Sequence, residues 1–168
     1  SYPSGDENVY TNYQGSGGVV LDSFLKRLAF AMRLSDPNVL LNDDITNTTR
    51  AQFRRQIQDR VRALAPFLIL DADPYLVVND EGRLIWLQDA YTASDRFPYS
   101  TPIRFVEASS ATVGTGGNVG MVASHTVNYI RNSVKIAIDA YNGSVDFYMS
   151  DPDDPIIRSY ADAFPGVF

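Results

Sequence analysis

The chain has 168 residues, 45% of them hydrophobic and 12% aromatic, which is enough to close a core and excludes disorder of the whole. A net charge of −6 and a pI near 4.6 remove the phosphate attraction on which nucleic-acid affinity depends, so no nucleic-acid partner is expected. The lack of cysteine excludes disulfides, thiolate zinc sites and cysteine nucleophiles, and leaves the compartment open.

No apolar run approaches the roughly 20 residues needed to span a bilayer, and the N-terminus has neither the basic nor the apolar region of a signal peptide. Beginning on Ser1 without methionine and ending on Phe168, the sequence reads as a single soluble domain or a segment excised from a larger region. Residues 1 to 20 lack periodicity and read as an irregular arm. Gly15-Ser16-Gly17-Gly18 has no preceding strand and no following Lys-Ser/Thr, so it reads as a turn and not a phosphate cradle.

Asp22 or Ser23 can cap a helix over Phe24 to Arg33, with Phe24, Leu25, Leu28 and Met32 at helical spacing and the cations elsewhere. A longer helix is expected over Arg50 to Leu64, burying Phe53, Ile57, Val61 and Leu64. Arg50, Arg54 and Arg60 flank that stripe, either as snorkelling stems or reaching carboxylates across the packing edge.

Tyr75 to Val78 and Arg83 to Ala90 then form a hairpin around Asn79-Asp80-Glu81-Gly82. Residues 92 to 128 read as a long loop, glycine-rich over 114 to 120. Val134 to Met149 is a second hairpin, with Asn142-Gly143 as a two-residue type I′ turn. Both hairpins contain Asp-Ala-Tyr, at 89 to 91 and 139 to 141, which suggests one sheet. A last helix follows over Ile156 to Phe164, with Asp154 as cap and Pro155 at its first position. The fold class is α+β, an antiparallel sheet built from two hairpins with helices packed on one face.

Chemistry is sparse. His125 has no nucleophile elbow near it, and one histidine without cysteine does not make a protein zinc site. Asp151, Asp153 and Asp154 are the candidate oxygen ligands for calcium, but their spacing is not that of an EF-hand, and capping and turn formation explain them without metal. No cofactor is expected. Tyr75, Trp86, Tyr91, Phe97 and Tyr99 read as hairpin core and loop anchors before a sugar platform. The candidates for interaction or packing are Arg54, Arg60, Asp89, Tyr91, Asp95, Arg96, Tyr99 and Arg158.

The blocks YPSGDENVY (2 to 10), RVRALAPFL (60 to 68), DADPYLVV (71 to 78), QDAYTASDRFPYS (88 to 100), NYIRNSVK (128 to 135) and DAYNGSVDFYMSDPDDPIIRSY (139 to 160) resemble Uncharacterised Protein Family 0182 over nearly the whole chain. The resemblance implies a soluble extracytoplasmic portion of a large bacterial protein carrying several membrane spans, and it assigns no catalytic residue. Two functions are therefore expected as alternatives. The first is a non-enzymatic module that packs against the remainder of its own polypeptide, spans included, or binds a cell-envelope protein or glycan. The second is an envelope hydrolase whose site is completed by residues outside this stretch.

Overall fold

The computed structural model describes residues 2–4, 7–9, 13–108 and 122–168, apart from the side chains of 2–4, 7–9, 105–108 and 122–125. It forms two compact units, Ser1–Phe53 and Arg54–Phe168.

In the first unit, β1 (Tyr2–Ser4) pairs antiparallel with β2 (Glu7–Val9), so strands occupy part of the expected irregular arm. The segment β3 (Val19–Val20) pairs with β4 (Arg50–Ala51). Between them, α1 (Phe24–Leu34) starts where the Ser23 hydroxyl accepts the Lys26 amide, and it stops at Ser35, whose φ of 55° a helix cannot continue. The short α2 (Asn38–Leu41) follows. Of α1 only Ala31 is buried, whereas Phe24, Leu25 and Met32 are 68%, 74% and 67% exposed.

The expected helix over Arg50 to Leu64 is corrected. Residues 50–51 are strand, tied further by the Leu21 amide to the Thr49 carbonyl at 2.8 Å, and Arg54 lies in the left-handed region at φ 51°. A right-handed helix cannot pass through that residue, so α3 is only Ile57–Leu64. The expected stripe divides accordingly. Val61 is buried, Phe53 meets Phe30 edge-on within the first unit at 5.5 Å, and Leu64 is more than half exposed.

The second unit holds a five-stranded antiparallel sheet. Its strands are β5 (Ile69–Leu70), β6 (Tyr75–Val78), β7 (Leu84–Ser94), β10 (Tyr129–Asp139) and β11 (Val145–Met149), ordered β11-β10-β7-β5 with β6 also on β7. Where 92 to 128 reads as a loop, the chain instead extends β7 to Ser94 and forms a two-stranded ladder of β8 (Ile103–Ala108) with β9 (Val122–Val127). The glycine run 114 to 120 lies outside the described residues.

Both expected hairpins exist, but their turns differ. Asn79 organises the first, its side-chain oxygen accepting the amides of Glu81 and Arg83 at 3.1 and 2.8 Å, while Gly82 takes φ 76°. The second is not a two-residue turn, because Asp139 pairs with Ser144 and four residues lie between them. The Asp139 carboxylate accepts the amides of Tyr141 and Asn142, so only Gly143 needs positive φ, at 71°.

One face of this sheet supplies Ala90, Val134, Ile136, Ile138 and Phe147 to a core completed by Val61 of α3 and by Ile157 of α4 (Pro155–Ala163). Each fully buried aliphatic there contributes about 1.5–3 kcal/mol. Both helices cover the same face, as the α+β reading requires. Strand β10 carries a bulge between Arg131 and Val134, where two residues stand opposite Tyr91 of β7. As a result the successive side chains of Ser133 and Val134 are both fully buried.

Candidate functional site

Asp154 is the N-cap of α4, as its sequence position suggests, and its carboxylate accepts the Ile156 amide at 3.0 Å. It is also fully buried and does more than cap. Its Oδ1 accepts the Tyr129 hydroxyl at 2.7 Å, and its Oδ2 accepts Ser133 Oγ at 2.5 Å together with Thr92 Oγ1. Burial alone would raise this carboxyl, but the donors from Ser133, Thr92, Tyr129 and the Ile156 amide outweigh it and hold the group below the ordinary carboxylate range. The same contact, with burial as the larger cause, pushes the Tyr129 phenol up.

The three candidate calcium ligands therefore do not converge. Asp154 turns inward, Asp151 pairs with Arg131 at 2.7 Å, and the Asp153 amide donates to Asp151 Oδ1 at 3.2 Å in a local turn. Among the described residues no group of three histidine or acidic side chains is placed to hold a metal.

The sheet face away from the helices is mixed. Register places Tyr75, Val77, Ile85, Leu87, Ala137 and Tyr148 on it, with Tyr75 and Tyr148 more than half exposed. Among these lies a polar patch in which Asp89 Oδ2 accepts from Lys135 and from Asn132, and Tyr91 donates to Asp71 Oδ2 at 3.2 Å. Burial acts to raise Asp89, yet Lys135 and Asn132 outweigh it and the carboxyl is lowered. On the core face, Gln58 and Gln88 both donate to the Asp71 carbonyl, at 3.1 and 2.9 Å.

Asp95, Arg96 and Tyr99 project from the loop after β7. Asn128 clamps this loop, exchanging two hydrogen bonds with the Phe97 backbone at 2.9 and 2.7 Å, while Phe97 stacks on Tyr129 at 4.5 Å. Tyr99 is fully exposed at φ 59°. Beside this loop is a cleft of about 700 Å³ lined by Arg62, Pro66 to Ile69, Ala93 to Asp95, Thr126 and Val127.

Among the arginine candidates, one side chain is seen to serve the backbone. Arg60 donates to the carbonyls of Arg54 and Gly143 and so clamps the second hairpin turn onto α3. Arg158 lies exposed on α4, and its backbone amide closes the first helical turn onto the Asp154 carbonyl. The His125 side chain lies outside the described residues. Thr92, Ser133, Tyr129 and Asn128 carry no sequence signal of their roles, because each acts across the fold on a residue distant in the chain.

The family model described as an uncharacterised protein family, UPF0182, matches residues 1–168. A UPF0182 protein of Cupriavidus necator is 52% identical over 167 residues, 99% of this chain and 16% of the relative. Those of Desulforamulus reducens and Synechococcus elongatus are 46% and 48% identical, each covering 99% of this chain and 16% of the relative. The chain thus spans about 16% of the length of these curated relatives. No solved structure matches it. Matched end to end by the family model and by close relatives, the chain belongs to the uncharacterised protein family UPF0182.

Proposed function

We propose that this stretch is an extracytoplasmic packing module of a multi-span membrane protein, and that its open sheet face seats against the remainder of the same polypeptide. The observation that carries the reading is that face. Tyr75, Val77, Ile85, Leu87 and Tyr148 form an apolar surface around a charged patch, while α3 and α4 both pack on the opposite side. A surface of that composition is characteristic of an interface. Most of the polypeptide of the relatives lies beyond the stretch, and is the nearest candidate to cover it. No described helix is long and apolar enough to cross a membrane, so in this reading the spans lie elsewhere in the protein.

The hydrolase reading has less geometry behind it. Glycoside hydrolysis needs a carboxylate pair across the scissile bond, and the described walls of the cleft offer one carboxylate, Asp95, with Arg62.

Two measurements on the full-length protein test the proposal. Placing a photo-crosslinking residue at Tyr148 is expected to give crosslinks to segments outside residues 1–168, and no such crosslink would overturn the packing reading. A single cysteine at exposed Asp153, in a background without other reactive thiols, is expected to react with a membrane-impermeant maleimide on intact cells or spheroplasts. Labelling only after lysis would place the stretch on the other side of the membrane.

A further inference from the structure

Among the described residues, no strand continues along the edge of β7 where β5 stops. The direction of its backbone groups follows from three bonds: the carbonyls of Leu84 and Ser94 accept amides on the β10 side, from Ala140 and Asn128, while the Asp89 carbonyl accepts the Asp71 amide on the β5 side. Even-numbered residues of β7 therefore direct their amide and carbonyl toward β10, and odd-numbered residues direct theirs toward β5 and β6. Ala93 is odd. The last rung of β5 is Ile69 on Tyr91, and the chain before it turns away, with the Leu68 amide on the Ala65 carbonyl at 3.2 Å. No strand among the described residues faces Ala93, and the cleft of about 700 Å³ lies at this edge.

We propose that this cleft is a strand-addition slot, in which Ala93 pairs with an extended segment of the same polypeptide from outside residues 1–168. The slot has what such a segment needs. The Ala93 amide and carbonyl, without a backbone partner among the described residues, give the backbone rung, Phe67, Leu68 and Val127 supply apolar wall, and Arg62 and Asp95 set opposite charges beside it. Size decides between a tethered and a separate occupant. One rung and one cleft are far smaller than the roughly 1,000 Å² that a stable interface between separate molecules requires. A segment of the same chain, held at high effective concentration, needs much less. The chain covers 16% of the Cupriavidus necator relative, so tethered sequence is abundant. This inference takes its partner from the packing reading and adds a second, independent surface.

The test uses the full-length protein, with a photo-crosslinking residue placed singly at the exposed positions Asp95 and Thr126, and with amide exchange read at Ala93. The expected result is that both probes crosslink to one common segment outside 1–168, that the Ala93 amide is protected at least about tenfold relative to an open-edge amide, and that proline substitution in the mapped segment abolishes this protection. Crosslinks confined to residues 1–168, to a second copy in mixed isotopic preparations, or to a different protein would overturn the slot, as would an unprotected Ala93 amide. The Tyr148 probe separates the two ideas. If it finds the rest of the polypeptide and the slot probes do not, only the slot falls; if all three find nothing outside 1–168, both fall.

Discussion

Tyr129 donates its hydroxyl to Asp154 at 2.7 Å, joining the first residue of β10 to the cap of α4 across 25 positions of sequence. With Thr92 and Ser133 on the other oxygen, the cap of one helix becomes the clasp between that helix and two strands. An N-cap alone is worth about 1 kcal/mol, whereas breaking a buried, fully bonded charge costs about 3 kcal/mol or more. Asp154→Ala is therefore expected to cost roughly 3 kcal/mol in chemical denaturation. A loss near 1 kcal/mol would reduce Asp154 to a simple cap.

The acid limb follows from the same group. Asp154, Asp89 and Asp139 are all lowered in the folded state; for Asp139 burial acts to raise it, and the amides of Asn142 and Tyr141 with the Arg83 guanidinium outweigh that. The unfolded chain thus binds protons before the folded one as pH falls, and stability rises with pH in that window. The three contributions are complete above the ordinary carboxylate value of about 4 and are lost as pH drops through the lowered folded values. Denaturation midpoints measured from pH 6 to pH 2 should fall below about pH 4, and more gently in Asp154→Asn. An equal slope in that variant would remove Asp154 from the account.

At Gly143 two penalties coincide. Its φ of 71° disfavours a β-branched residue, and a Cβ there would run into the Arg60 guanidinium that bonds its own carbonyl. Gly143→Val should lower the denaturation midpoint, and the cost should be smaller in an Arg60→Ala background, since part of it is that collision. Strict additivity would mean that backbone strain alone is responsible.

Tyr99 adopts φ 59° with a fully exposed side chain, so a left-handed conformation that costs an ordinary residue about 1–2 kcal/mol is kept without burial in return. Replacing it by glycine removes that strain and adds chain entropy to the unfolded state, for a net change between zero and about 1 kcal/mol of stabilisation. A destabilisation above 1 kcal/mol would show that the ring packs in solution.

The elements most legible in the sequence were those fixed by neighbours. Ser23 and Asp154 begin their helices, Gly82 takes its positive φ, and the two hairpin stretches, each around its turn residues, yield the sheet. Errors arose where distant partners overrule local pattern. Helical spacing from Phe53 to Leu64 is real, yet the pairing of β3 with β4 and the left-handed Arg54 deny the helix its first two turns. Asn142-Gly143 suggests a two-residue turn by itself, but the Asp139 carboxylate widens it. The repeated Asp-Ala-Tyr does fall in one antiparallel sheet, as expected, although Asp89 meets Lys135 in mid-sheet and Asp139 closes a turn. Among the site candidates, the exposure of Asp95, Arg96 and Tyr99 follows from their loop, whereas the open edge at Ala93 depends on where β5 ends, which no property of Ala93 encodes.

The bulge in β10 sets how tolerant this strand is of changes in length. Tyr129 on its N-terminal side and Ser133 within it, both odd-numbered, reach Asp154, and on its C-terminal side Val134, Ile136 and Ile138, even-numbered, fill the core. One extra residue shifts the phase of the alternation, so that one strand delivers hydroxyls from its first half and hydrocarbon from its second to the same side. Deleting a single residue between Arg131 and Val134 would put the halves out of step. Either the clasp would lose its donors or the isoleucines would turn to water, so a change of length in this short interval is not tolerated.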